Sequence, residues 1–230
     1  PDWSRGLGDV YKRQAMKIEY EKNAKAIYEK SFSIVHNEAD LERFNEQEAI
    51  VATRIAHACG MPDITKQLKF TSSAVSDGIA AILRGAPIIC DCNMVKVGVS
   101  MIDDFPKNKL LCFLNYQEVK TIANTRKTTR SAAQVELWHE YIDGAVVVIG
   151  NAPTALFRLI EKIRDDGFNP ALVLGFPVGF VGAKESKTLL NVFNPTIQHI
   201  TLLGRLGGSA IAAAGCNALL KLARKHHGHE

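Results

Sequence analysis

The sequence predicts an α/β fold: a single three-layer domain with a mostly parallel central sheet flanked by helices, plus extra N-terminal helices. Three observations predict it. The runs APIIC (86–90), LLCFL (110–114), AVVVIG (145–150) and ALVLGF (171–176) are apolar without alternation, as in strands covered on both faces. Segments with a 3.6-residue apolar period alternate with them, which layers helices on a sheet. No Pro/Gly/Ser linker, internal repeat or low-complexity tract divides the chain.

In chain order, helical periods fall at 22–36 and 46–59, ahead of the first strand, then at 72–85. Further periods occupy 116–124, 130–141, 153–166, 183–192 and 208–224. Residues 16–224 read as one domain. The first fifteen residues show neither helical nor strand period, and DVYKRQ within them resembles a translated sequencing-library adapter. Residues 1–15 are therefore read as a non-native extension, with Met16 as the natural start. The polar, histidine-rich end, 225–230, reads as a flexible tail.

Composition excludes several function classes. An apolar share of 47% and a charged share of 23% are ordinary for a soluble globular domain. No apolar run approaches the roughly 20 residues of a membrane span. The formal charge of +4 is spread without a basic stripe interleaved with aromatics, which disfavours nucleic acid but suits a small polyanionic substrate. Five cysteines, an odd number in no regular framework, point to a reducing cytoplasm. Cys90-Asp91-Cys92 is CxC rather than the CxxC of zinc or thioredoxin-like sites, so no metal site is expected there.

In an open parallel sheet, ligands bind beyond the carboxyl ends of the strands. Those ends lead into DCNMVKVGVS, GNAPTALF, FPVGFVGAKES and, near the C-terminus, GRLGGSAIAAAG. Asn151 is placed to cap a helix with Pro153 close to its first position, and Gly207, Gly208 and Ser209 precede an alanine-rich helix. Such starts offer free N–H groups to an anion, although tight turns alone would also use glycine there. Gly175, Gly179 and Gly182 do not make GxGxxG, so a dinucleotide site is weak. No GxxxxGK[ST], GxSxG, HExxH or EF-hand pattern is present. Catalysis would have to come from positioning and single acid/base groups.

His57 ends an apolar run, TRIAHACGMP. The helix from Glu46 stops there, because Gly60 suits a left-handed C-terminal position and Pro62 cannot continue it. The negative end of the helix dipole favours the cationic form of an imidazole in that last turn. Val51, Ile55 and Cys59 form the core stripe; His57 shares a neighbouring face with Ile50, Thr53 and Arg54. The residues alone leave a structural histidine ahead of an acid. Arg130, in TTRSAAQVELW, sits in the first turn of a helix capped by Thr128 or Thr129, where a cation opposes the dipole. It is either a receptor for a carboxylate ligand or a solvated surface arginine.

AIYEKSFSIVHNEADL, RIAHACGM, GAPIICDCNMVKVGV, TTRSAA, GNAPTALFRL, GFPVGFVGAKESK and GRLGGSAIAAA occur in this order from about Asn23 to Leu219. Together they resemble the precorrin-8X methylmutase family, whose anaerobic-route members act on cobalt-precorrin-8. The resemblance implies an isomerase of cobalamin biosynthesis that moves a methyl group from C-11 to C-12 of the macrocycle. The product would be hydrogenobyrinate, or cobyrinate on the cobalt route. It implies no cofactor, a polycarboxylate corrinoid substrate, a homodimer with the site near the interface, and hand-over to neighbouring pathway enzymes.

Within the resemblance His57, in HACG, is the catalytic histidine, which reverses the order of its two readings. Ser31 and Arg130 match positions that hold the substrate. Arg54, Ser100, Asn151, Thr154, Lys184, Glu185 and Ser186 match motif positions with less defined roles; Thr154 and Ser186 also suit helix-start hydroxyls, and Lys184–Glu185 a solvated pair. CDCNMV departs from the family pattern in its cysteine and asparagine, and Ser100 stands for a common threonine while keeping the hydroxyl. A methyl shift needs neither nucleophile nor redox centre, and a proton lent by an imidazolium would stabilise developing charge. The alternative reading is a non-catalytic corrinoid-binding or shuttling protein.

Overall fold

Residues 19–193 and 197–226 are described here from a computed structural model. The extension at 1–15 and the end of the tail at 227–230 lie outside the described residues. Two helices come first, α1 (Ala24–Glu38) and α2 (Glu46–Cys59). Then follow β1 (Leu68–Phe70), α3 (Ala74–Leu83), β2 (Ile88–Cys90), α4 (Asn93–Gly98) and β3 (Leu110–Leu111). The second half contains α5 (Gln117–Thr125), α6 (Arg130–Ala133), β4 (Val146–Ile149), α7 (Pro153–Asp166) and β5 (Leu172–Gly175). It ends with α8 (Ala183–Phe193), β6 (His199–Leu202) and α9 (Ser209–His226).

The strands form one sheet in the order β1-β6-β5-β4-β2-β3. All neighbours are parallel except β1, which runs antiparallel to β6 with Leu68 opposite Leu202. The apolar runs alternate between two cores because successive strand residues face opposite ways. Val146 and Val148 join Leu172 and Leu174 under α3 and α9, while Val147, Ile149 and Val173 face α7 and α8. Helix α2 lies outside α9, and α1 lies on α2. The three-layer reading therefore stands, with the two N-terminal helices added to one face.

Several expectations need correction. β1 and β6 were not expected: Lys69 interrupts the first, and His199 and Thr201 interrupt the second, so neither is an unbroken apolar run. In β6 those polar groups are buried with partners, His199 Nδ1 on Ile197 O at 3.0 Å and Thr201 donating to Gly175 O. DCNMVKVGVS, read as a loop, contains α4. The helix expected at 130–141 stops at Ala133 and tightens into a 3₁₀ segment, Gln134–Trp138, that buries Gln134, Val135 and Trp138. α9 continues through Lys225 and His226, placed in the tail by the sequence reading.

Candidate functional site

Helix α2 begins at a capping box: Asn45 accepts from Glu48 N at 3.0 Å, and Glu48 accepts from Asn45 N at 3.1 Å. It ends at Gly60, whose φ of 66° lets its N–H turn back to the carbonyls of Ala56 and His57. These caps place His57 in the last turn, exposed, while Val51, Ala52, Ile55 and Ala56 fill the buried face. α2 runs antiparallel to α9: Ile55 flanks Gly215, whereas Ile50 and Thr53 share a groove with Leu222 and Lys225. The His57 end of α2 therefore points toward the start of α9, the side on which the parallel strands end.

Helix α1, capped by Asn23, supplies the other half. Tyr28, Ser31 and Phe32 stand at the i, i+3, i+4 spacing that puts side chains on one face. Ser31 Oγ lies 3.0 Å from His57 Nδ1. The Phe32 ring lies 4.7 Å from the imidazole, centroid to centroid. Tyr28 Oη accepts from Arg54 Nη1 at 2.7 Å, and the guanidinium lies 5.6 Å from the Phe32 centroid. Lys221 of α9 approaches the Tyr28 ring at 6.0 Å. Beside this cluster opens a groove of about 710 Å³ with Ile50 and Leu222 among its lining, together with Arg54, Lys221 and Lys225 and the acids Glu29 and Glu46. Among the described residues none of these three cations is paired with a carboxylate.

A second constellation lies where β2 and β4 end. Asp91 is fully buried and accepts three backbone N–H groups: Gly150 at 2.9 Å, Asn151 at 3.0 Å and Ala152 at 2.8 Å. Burial pushes its carboxyl up from the usual carboxylate value, and the three donors oppose that shift. Asn151 does not cap α7, because it stands one residue ahead of the cap position. Ala152 occupies the cap position without a side-chain bond, Pro153 follows it, and Asp91 takes the N–H groups from across the sheet. Thr129 caps α6 by accepting from Ala132 N at 3.1 Å, and its hydroxyl lies 2.8 Å from that of Thr154. Arg130 is thereby held next to the 150–154 loop. It is exposed and pairs with no carboxylate among the described residues, whereas Arg126 meets Glu136 at 2.7 Å.

Ser31, Arg54 and His57 thus come together on α1 and α2, and Arg130, Asn151 and Thr154 come together at the β4 exit. Ser100 is exposed beyond α4, its N–H donating to Asn217 Oδ1 at 3.0 Å. Lys184 and Glu185 are exposed at the start of α8, while Ser186 is buried and donates to Ala183 O at 3.2 Å. The sequence reading passed over Tyr28, Phe32, Lys221 and Asp91. The spacing of Tyr28, Ser31 and Phe32 was a legible signal, as was an acid placed directly after an apolar strand. Among the described residues no three His, Cys, Asp or Glu side chains converge as a metal site, and no helix is long and apolar enough to cross a membrane.

The family model for precorrin-8X methylmutase matches residues 26–222. The chain belongs to the precorrin-8X methylmutase family. This makes it an isomerase, a methylmutase of cobalamin biosynthesis. It is 46% identical over 205 residues to the precorrin-8X methylmutase of a Sinorhizobium species, covering 89% of this chain and 98% of that one. It is 37% identical to the cobalt-precorrin-8 methylmutase of Methanocaldococcus jannaschii, covering 86% of this chain and 93% of that one. A solved precorrin-8X methylmutase from Thermus thermophilus superposes with a TM-score of 0.78 at 37% identity, over 87% of this chain and 98% of that one. The methylmutase fold thus spans both constellations.

Proposed function

We propose that this methylmutase moves the C-11 methyl group of precorrin-8X, or of its cobalt form, to C-12, with His57 as general acid. One observation carries the reading: Ser31 occupies His57 Nδ1 at 3.0 Å, and among the described residues Nε2 has no partner. Ser31 orients the ring whichever of the two carries the shared proton. Nε2 is then the nitrogen that lends a proton to the macrocycle. The positive charge formed on the ring system is carried through the methyl migration and is removed when the rearranged ring returns a proton to Nε2. Substrate and product have the same composition, so no co-reactant is consumed.

The rim of the substrate carries carboxylates, and unpaired cations suit them. Arg130 is one receptor, beside Asn151 and Thr154; Arg54 lies near the acid. Lys184, Glu185 and Ser100 are exposed and free to meet the rim, whereas Ser186 acts by fixing the first turn of α8. Gly150, Asn151 and Ala152 have already given their N–H groups to Asp91, so the backbone of that loop is not counted among the receptors.

A homodimer with the site near its interface is part of this reading. Met94, Val97, Phe180, Val181 and Leu206 are large, apolar and exposed on segments that follow the strand ends, where a second copy would cover them. Free cysteines, five of them, favour a reducing cytoplasm.

Purified protein incubated with the pre-rearranged macrocycle tests the function. A change in its visible spectrum to that of the rearranged product, with nothing added, supports the isomerase. Tight binding without spectral change supports a corrinoid carrier instead. Metal-free and cobalt substrates run side by side decide the route.

A further inference from the structure

We infer that Asp91 is a positioning residue for the substrate rim, acting through the 150–154 loop on Arg130. This rests on the proposed role of Arg130 in holding a substrate carboxylate. Asp91 stands at the end of β2, fully buried, with both carboxylate oxygens engaged: Oδ1 by Gly150 and Oδ2 by Asn151 and Ala152. Its own carbonyl accepts from Gln134 Nε2 at 2.6 Å, and its N–H donates to Val148 O at 3.1 Å. One residue thus joins β2, the exit of β4, the cap position of α7 and the 3₁₀ segment that follows α6.

Two consequences follow for the rim. The backbone of 150–152 is tied to the end of β2, which fixes where the chain enters α7. Thr154, one turn further on, meets the Thr129 hydroxyl at 2.8 Å, and Thr129 caps the helix whose first residue is Arg130. Arg130 is therefore referred to Asp91 on both sides, through the Thr154–Thr129 pair and through Gln134. A buried carboxylate is costly unless its acceptor sites are filled, and here they are filled by the loop itself. The acid spends no bond on a ligand; it decides where ligand groups stand.

Asp91→Asn is the direct test. An amide can serve two of the three donors but then turns its own NH₂ toward the third. Affinity is read by visible titration with the rearranged corrin product, which bears the rim carboxylates and does not turn over, alongside kcat and KM with substrate. Asp91→Asn should weaken binding about tenfold, as loss of one oriented charge-assisted contact would. The loss should appear in KM much more than in kcat. Combined with Arg130→Ala, it should bind no worse than Arg130→Ala alone. Effects that multiply, or an unchanged affinity in Asp91→Asn, overturn the inference while leaving the rim reading intact. An Arg130→Ala variant that binds as wild type overturns both. If Asp91→Asn does not fold, the pair Thr129→Val and Thr154→Val breaks the same link at the half-exposed end, and the same non-additivity with Arg130→Ala is required.

Discussion

Ser31 Oγ and His57 Nδ1 lie 3.0 Å apart across the α1–α2 packing, so a residue 26 positions earlier in the chain fixes the imidazole. The ring also rests against Phe32 at 4.7 Å, which leaves its rotation doubly restrained. An imidazole on an exposed helix end would otherwise sample several rotamers; if it is the acid we propose, a displacement of about 1 Å can lose about 10²-fold in rate.

His57→Ala should lower kcat by about 10²–10⁴-fold, the range of general acid catalysis. Folding, followed by circular dichroism, and product affinity should stay close to wild type. Ser31→Ala keeps the acid and loses its orientation, so its kcat should fall by about tenfold with KM little changed. Full activity in His57→Ala removes the acid assignment.

Arg130→Ala should weaken corrin binding about tenfold at low salt. The deficit should shrink as ionic strength rises, because exposed charges are screened within about 10 Å at 0.1 M salt. Titrations at low and high salt check this; a deficit independent of salt points to packing instead.

Gly207→Ala should destabilise the protein. A Cβ there would lie 2.3 Å from Phe176 O and 2.6 Å from Pro177 O, and backbone oxygens cannot step aside as a side chain does. Overpacking of this kind costs about 1–3 kcal/mol. For a chain of this size that lowers Tm by about 2–12 °C. Calorimetry showing an unchanged Tm would mean that the 176–177 and 204–208 turns move apart freely.

Lys187 gives a pH-dependent stability. It is fully buried, donates to Leu206 O, and burial pushes its ammonium from 10.5 down to about 8. A lysine lowered in the folded state costs stability while both states are protonated. Between about 8 and 10.5 the unfolded chain holds the proton that the folded protein has released, so stability rises with pH. Wild type should therefore gain on Lys187→Met by up to about 3 kcal/mol across that window. Urea unfolding of both proteins from pH 7 to 10.5 measures it; a difference flat with pH contradicts the buried charge.

Much of the architecture was legible because burial on both sides forces a simple pattern. Val146–Ile149 and Leu172–Gly175 are unbroken apolar runs for that reason. β6 was not legible, since His199 and Thr201 are buried by finding partners on residues distant from any local pattern. The same distinction divides the site. The end of α2 at Gly60, and so the place of His57 in its last turn, follows from local backbone preference. The Asn151 cap was misread by one position: Ala152 is the residue before the helix, and the Asn151 N–H is held by Asp91, a residue 60 positions away that no helix-start rule mentions.

By itself the sequence determined the alternation of strands and helices, where α2 stops, and the motifs that mark the family, because periodicity, capping and glycine dihedrals act over a few residues. Only the tertiary structure decided that Ser31 holds His57, that Arg54 and Lys221 gather on Tyr28, and that Asp91 ties the β4 exit to the helix of Arg130. Those are hydrogen bonds and ring contacts between elements remote in the chain, set by how helices pack on the sheet and on each other, and no local spacing encodes them.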